Sequence, residues 1–561
     1  MTEKELLQQK ENHILKLEKE IEKWKKAVKT QHYGLVWLDV PEGFEDDVEN
    51  KLPILEDVPT KGIKSKDTEP THLLIEGDNY HALTCLNYTH KSKIDVIYID
   101  PPYNTGEDGF RYKDKRILDK YPDGTDVPKD HPFRHSYWLS FMRKRLELSK
   151  DLLTKDGVIF ISIDDNEFAQ LKLLTDSIFG ETSLLGILNW QNKTKPVNSG
   201  KAKYQIQQNI EYILCYSNAI PKEKYLGFVL KEQGQRKYNF QTKKGLARLV
   251  DIEDSDIGRK KRDTMKFPIL GVIPQTGKRW KIGLQEVNRL IEEDKIIIVE
   301  GKVKKIIYPE DENQSIERPF WSLLLKEQVD TAEDGKKELS LILGKEHGFD
   351  TVKPTKLIRE LLNHFDNNII VLDFFAGSGT TGHAVMQLNK DEDTKGSRQF
   401  ILVTDNENNI MSDICLPRIK TAITGYNDKG GLFQSVKFYK TAFVGKHNIL
   451  DADDKDKILL AHHAGEMLAI AENTLEQVKK NDYWQVFENK DRMTAVYFRE
   501  EQNKLDEFIK EVLSLKKPVT VYMFSWEERV EIADFEDNKK INLKTIPQPI
   551  LEVYKQIYNI I

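Results

Sequence analysis

The stretch KIDVIYIDPPY constrains the fold of this chain more than any other. Ile94 to Ile99 form an apolar run rich in Ile and Val, the signature of a strand buried on both faces of a parallel sheet. Proline brings no N–H to a ladder, so Pro101 and Pro102 end the strand at Asp100. Pro102 also restrains Pro101 to extended geometry, and the Pro101 carbonyl then has no neighbouring strand to pair with. A carboxylate, a carbonyl and the ring of Tyr103 therefore meet at one strand end. That combination suits the holding of a flat amine.

The same pattern recurs around this strand. THLLIEGDNYHALTCL gives a strand, a turn at Gly77 to Asn79 and a helix start, with Asp78 either the cap of that helix or an acceptor for a cofactor base at the same sheet edge. HSYWLSFMRKRLELSKDLLTKDG is an amphipathic helix, and GVIFISID is a second buried strand, so strand, helix and strand imply a right-handed crossover and a parallel sheet. A further strand is expected around residues 210 to 217. The pattern then loosens and returns near residue 350, with a helix after Lys353 and Pro354, the strand and glycine turn NIIVLDFFAGSGTTG, and another strand ending near Asp405 and Glu407.

These boundaries divide the chain into residues 1–69, an N-terminal helix (3–30) with heptad-like spacing and an acidic linker; 70–189 and 346–445, the two halves of one α/β domain; 190–345, an inserted domain; and 446–561, a small C-terminal domain. The chain carries a net charge of -6, yet residues 190 to 310 hold 25 Lys and Arg against 14 Asp and Glu, with aromatics interleaved. Such a segment suits phosphate contacts and base stacking. Cys85, Cys215 and Cys415 lie far apart without a C-x-x-C, which argues against a disulfide framework or a zinc site; no metal is expected, and a reducing cytoplasm is the expected location. No apolar run is long enough to span a bilayer, so no membrane is expected.

Gly377, Gly379 and Gly382 form G-x-G-x-x-G after a strand that ends at Asp373 and before a helix. Such a turn lets backbone approach a ligand closely, and an acid at the end of the next strand holds ribose hydroxyls. The turn implies a nucleoside-containing cofactor, and taken alone it equally suits the NAD of an oxidoreductase. NAD chemistry leaves the Asp100 motif unexplained.

With DPPY and F-x-G-x-G in this order, the chain resembles the beta-class N6-adenine DNA methyltransferases. IEGDNYHAL, YIDPPYNTG, the WLSFM helix, DGVIFISIDDNEF and DFFAGSGTT resemble more narrowly the modification subunit of Type III restriction-modification systems. The resemblance covers residues 70–220 and 340–440. It implies a Rossmann-like S-adenosylmethionine-dependent fold with permuted motif order, an inserted target-recognition domain between the motifs, and methylation of adenine N6 in double-stranded DNA. It further implies that Phe375, Gly377 and Gly379, with Asp373 before them, contact S-adenosyl-L-methionine; that Lys353 and Pro354 lie near its methionine end; that Asp78 lies near its adenine; and that Glu407, with Asp405 the competitor, holds the ribose. Asp100, Pro101, Pro102 and Tyr103 are then catalytic: Asp100 and the Pro101 carbonyl each accept an amine N–H, and Tyr103 stacks on a flipped base. An Asp at the first motif position favours adenine over cytosine N4.

In this family the modification subunit dimerises and recruits a separate helicase-nuclease subunit, so a homodimer and such a partner are expected. The chain has no P-loop motif of its own. A solitary adenine methyltransferase, or a methyltransferase acting on RNA or on a protein amide, are the alternative readings.

Overall fold

The structure is a computed structural model describing residues 35, 37–39, 52–65, 70–105, 116, 120, 125–128, 131–198, 200, 202–218, 229–256, 262–312, 315–349, 352–391, 396–426, 429–444, 454–498, 502–523, 535 and 538–546. The heptad segment 3–30 and most of the loop between Phe110 and Pro132 lie outside the described residues.

The chain divides into two compact units, Met1–Leu226 with Trp321–Ile561, and Gly227–Phe320. The first is built on a ten-stranded sheet. Its strands are β1 (Leu52–Asp57), β2 (Thr71–Glu76), β3 (Ile94–Ile99), β4 (Leu153–Ile163), β5 (Leu184–Gln191), β6 (Ile210–Ser217), β7 (Leu323–Leu324), β8 (Ile370–Asp373), β9 (Gln399–Thr404) and β10 (Ser435–Val444). Their order across the sheet is β1-β10-β2-β9-β8-β3-β4-β6-β5-β7. From β10 to β4 every neighbouring pair is parallel, whereas β6 runs antiparallel to both β4 and β5.

The residues of this sheet explain the arrangement. Ile94, Val96, Ile97 and Ile99 of β3 are fully buried, each worth about 2 kcal/mol of burial, which a half-solvated edge strand would forgo. Helices α1 (Asn79–Thr89), α2 (Ser136–Leu152) and α3 (Phe168–Phe179) pack in sequence on one another. Helices α4 (Ala332–Leu343), α5 (Thr355–Leu362), α6 (Thr380–Lys390) and α7 (Leu416–Thr424) form a second group. Because β2, β3, β8 and β9 are parallel, the turns following them lie at one carboxyl edge. Asp78, Asp100, Asp373 and Asp405 are therefore neighbours despite their distance in sequence.

Helix α8 (Asp454–Ala471) packs on α1 and β1. It leads into a five-stranded sheet of β11 (Glu476–Lys480), β12 (Trp484–Glu488), β13 (Met493–Tyr497), β14 (Val519–Met523) and β15 (Ile541–Lys544), with α9 (Gln502–Ser514) between β13 and β14. Val486, Ala495, Phe508, Val512 and Val521 form its core.

The second unit has a four-stranded antiparallel sheet of Phe240–Thr242, Gly245–Asp251, Ile296–Val299 and Lys302–Ile307, and a helix Leu284–Glu292. Ile252, Ile269, Trp280, Val287 and Val303 make its core. It is narrower than the inserted segment 190–345 expected from sequence. β5 and β6 form a hairpin that extends the main sheet, and their buried Leu188, Trp190, Ile213 and Leu214 bind it there.

Candidate active site

The end of β3 delivers the partly exposed Asp100 to the buried ions Lys353 and Glu211. Lys353, only 5% exposed, reaches it from the segment before α5: its Nζ donates to both carboxylate oxygens of Asp100 at 2.8 Å and to the Tyr103 hydroxyl at 2.9 Å. The same Nζ lies 3.2 Å from Glu211 of β6, which Asn192 also engages through a 2.8 Å hydrogen bond. The Tyr103 hydroxyl donates to Asp100 at 2.7 Å and lies 3.1 Å from Glu211. Burial works against the Lys353 ammonium, but the carboxylates of Asp100 and Glu211 more than offset it and hold its pKa above the ordinary lysine range. Burial, reinforced by those same carboxylates, raises the Tyr103 hydroxyl well above the usual phenol value, so it stays protonated.

The motif is braced from outside. The Trp138 indole donates to the Pro102 carbonyl at 2.7 Å. Asn104, at φ 60°, turns the chain away through a left-handed conformation that Asn tolerates, and its amide donates to the buried Glu167 at 2.6 Å. Glu167 in turn holds His135 at 2.7 Å.

Beside β3 in the sheet, β8 ends at Asp373 and the glycine turn. The Asp373 carboxylate accepts from the Phe375 N–H at 3.0 Å and the Thr381 hydroxyl at 2.6 Å, clamping the turn onto the first residues of α6. Its pKa is raised to about 7, first by burial and further by the Asp100 charge. Gly377 and Gly379 have φ of 48° and 77°, and a Cβ at Gly379 would stand 3.1 Å from Cys415 Sγ. At Gly377 a Cβ would make only ordinary contacts, 3.8 Å from the Phe375 carbonyl oxygen and 4.0 Å from the Phe349 ring, and this residue lines the cavity described below. Arg418, fully buried on α7, donates to Thr380 at 2.7 Å and to Ser378 at 3.1 Å, and reaches Glu338 at 3.3 Å. Glu338 also accepts from Thr355, which ties the Lys353–Pro354 segment to the glycine turn.

Asp78 caps α1 by accepting from the Tyr80 N–H at 2.7 Å. Asn79 donates to the Phe374 carbonyl at 3.0 Å, and Arg145 of α2 binds Asn79 and lies 3.4 Å from Asp78. The cap reading of Asp78 therefore holds, and the residue also faces the cavity. Asp405 accepts from the Glu407 N–H at 3.1 Å.

One cavity of about 990 Å³, counting its open mouth, joins these parts. Asp78, Asp100, Pro102, Lys353, Asp373, Phe375, Gly377, Asp405 and Glu407 line it together with Arg116, Phe349 and Ile410. Pro101, Tyr103, Pro354 and Gly379 stand behind this lining: Pro354 precedes α5, Gly379 caps α6, and Tyr103 faces the ion cluster. Lys353, placed by the resemblance near the methionine end of a cofactor, lines the cavity and is bonded there to Asp100 and Tyr103. Sequence reasoning missed Glu211, Arg145, Glu338 and Arg418. Their partners are distant in sequence, and nothing local distinguishes them from surface charges.

The cavity suits a nucleoside cofactor. It has a glycine turn in its lining at Gly377, apolar walls in Phe349, Phe375 and Ile410, and carboxylates at a strand end to accept from hydroxyls.

Residues 94–415 match the family model described as DNA methylase, N6_N4_Mtase, and the chain belongs to that family. It is 34% identical over 352 residues to the Type III restriction-modification enzyme StyLTI Mod subunit of Salmonella typhimurium, covering 59% of this chain and 52% of that one. It is 31% identical over 440 residues to the EcoP15I Mod subunit of Escherichia coli, covering 67% and 65%. The Type II methyltransferase M.KpnI of Klebsiella pneumoniae is 31% identical over 373 residues, covering 62% and 83%. The chain thus spans between about half and two thirds of the length of these Type III relatives.

Proposed function

We propose that the protein transfers a methyl group from S-adenosyl-L-methionine to N6 of adenine in double-stranded DNA, as the modification and recognition subunit of a Type III restriction-modification system. The observation that carries this reading is the shared cavity: Asp100 at the end of β3 and the Gly377 turn at the end of β8, on adjacent parallel strands, front the same space. When bound, S-adenosylmethionine supplies an electrophilic methyl group on a sulfonium. Gly377 and Phe375 would hold it, with Asp78 toward its base and Glu407 or Asp405 on its ribose.

The chain's own groups then act on the amine. An exocyclic adenine nitrogen is a poor nucleophile because its lone pair is delocalised into the ring. A carboxylate oxygen has two acceptor sites, so Asp100 can accept an amine N–H while still bonded to Lys353. Paired with an ammonium, Asp100 is an acceptor that positions the nitrogen and stabilises the positive charge developing on it. The Pro101 carbonyl is the second acceptor in this reading, and Tyr103 the face against which the base stacks.

The test is methyl transfer from radiolabelled cofactor to DNA, with long-read mapping of the modified base. Asp100→Ala is expected to bind cofactor normally and to lose transfer by at least about a hundredfold, as removal of a transition-state acceptor does; full activity in the variant would sink the reading. A homodimer with a separate helicase-nuclease partner belongs to this proposal, and a monomer mass in light scattering at micromolar concentration would remove it. The extent of the match to M.KpnI favours one second reading, a methyltransferase acting without such a partner.

A further inference from the structure

The hairpin joining β5 to β6 projects from the catalytic edge. β6 runs antiparallel to β4, so its first residues sit at the edge where β3 and β4 end. The root of the hairpin adjoins the ion cluster: Asn192 Nδ2 donates to Glu211, which lies 3.1 Å from the Tyr103 hydroxyl, and the Asn192 N–H donates to the Asn209 carbonyl at 3.1 Å. Farther out the two arms are clasped. The Val197 N–H donates to Gln207 Oε1 at 2.7 Å, and Gln207 Nε2 donates to the Val197 carbonyl at 2.9 Å.

At this clasp and beyond it the side chains are unusual for a solvated loop. Ile206 is 97% exposed, Tyr204 80% and Val197 55%. Lys193, Lys195 and Lys203 around them are exposed as well, with Lys203 Nζ 4.7 Å from the centre of the Tyr204 ring. Single exposed apolar residues are ordinary, but three on one clasped hairpin, among lysines and next to a catalytic centre, call for an occupant. Charge selects a polyanion. The apolar tip selects a polyanion with an apolar interior that can be opened, which is a stacked duplex.

We propose that the hairpin arms 192–198 and 202–209 form a base-flipping wedge: Ile206 and Tyr204 enter the duplex and fill the space left by the target adenine, while Lys193, Lys195 and Lys203 rest on phosphates. This rests on the adenine methyltransferase reading given above. Bringing an adenine to Asp100 requires unstacking it, and an apolar plug offsets that cost by keeping the gap dry and stacking on the neighbouring bases. The gap necessarily lies beside the site that receives the base. At an extended reach of about 3.3 Å per residue, the arm from Asn192 to Val197 spans up to about 17 Å from its root.

The test uses the full chain and duplexes carrying the site at which wild-type protein methylates adenine, with 2-aminopurine in place of the target base. Wild-type protein is expected to raise the 2-aminopurine fluorescence. Tyr204→Ser/Ile206→Ser should lose most of that rise and methylate the paired duplex at least about tenfold more slowly. It should recover most of the wild-type rate when the target adenine faces an abasic position, because flipping then needs no wedge. Equal slowing on paired and abasic-facing duplexes, or no slowing on either, would overturn the proposal. So would a changed oligomeric mass with unchanged fluorescence, which would assign the tip to a protein partner. Failure of the wild-type chain to methylate adenine in any duplex would instead strike the underlying reading, and the wedge with it.

Discussion

At the scale of single residues, the site is governed by one buried cation serving two carboxylates. Lys353 compensates Asp100 and Glu211 together, and removing it leaves two like charges close together in a poorly solvated place. Lys353→Met is therefore expected to destabilise the protein by about 3–5 kcal/mol in urea unfolding, the usual cost of orphaning a buried charge. Adding Glu211→Gln should return part of that loss, and additive effects would show that the cluster is not a unit. Asp373 gives a second prediction, with its sign fixed by burial. Its folded pKa of about 7 exceeds that of an unfolded aspartate, so the native state binds the proton more tightly. The stability it confers is fully present below the unfolded pKa of about 4 and is lost as pH rises through the folded value. Asp373→Asn, which keeps one acceptor for the turn, should accordingly gain melting temperature relative to wild type between pH 4 and 7 and level off above. A pH-independent difference would show that the carboxylate is not held neutral.

At the scale of elements, the glycine turn works because α7 presses against it from behind. A Cβ at Gly379 meets Cys415, and one at Gly382 would come 2.8 Å from Leu402 Cδ1 and 3.0 Å from Ile419 Cδ1. Gly379→Ala, at φ 77°, is expected to cost about 1–2 kcal/mol of stability and to weaken cofactor affinity in calorimetry. Unchanged binding would mean that the turn is not the cofactor cradle. This element was legible in the sequence, as was β3, because strand, turn and helix signals are local. The hairpin β5–β6 was legible only in part: residues 210–217 read as a strand, but nothing local to Leu184–Gln191 shows that it pairs with them and extends the sheet. Glu211 was invisible for the same reason, since its meaning depends on Lys353, far along the chain. The order of DPPY before the glycine turn carried most of the functional reading, because neighbouring parallel strands put two such distant strand ends at one edge.

At the scale of the whole molecule, the interruption between the two halves of the sheet is itself a discrete body. Gly227–Phe320 has its own core, and its first and last strands pair antiparallel with Val229 opposite Pro319, so its ends are adjacent. The unit itself carries a basic excess, 20 Lys and Arg against 15 Asp and Glu, in a chain whose net charge is -6. A unit whose ends meet can be replaced by a short turn without stretching the chain that enters and leaves it. Substituting a glycine-serine turn for residues 230–318 is therefore expected to leave the sheet folded and cofactor affinity within about twofold of wild type, because no residue lining the cavity is removed. Site-specific methylation should vanish, and binding to duplex DNA should weaken and lose part of its salt dependence as phosphate contacts disappear. If the shortened chain marks the same sites at the same rate, recognition resides elsewhere, and the basic excess is only a solvated surface.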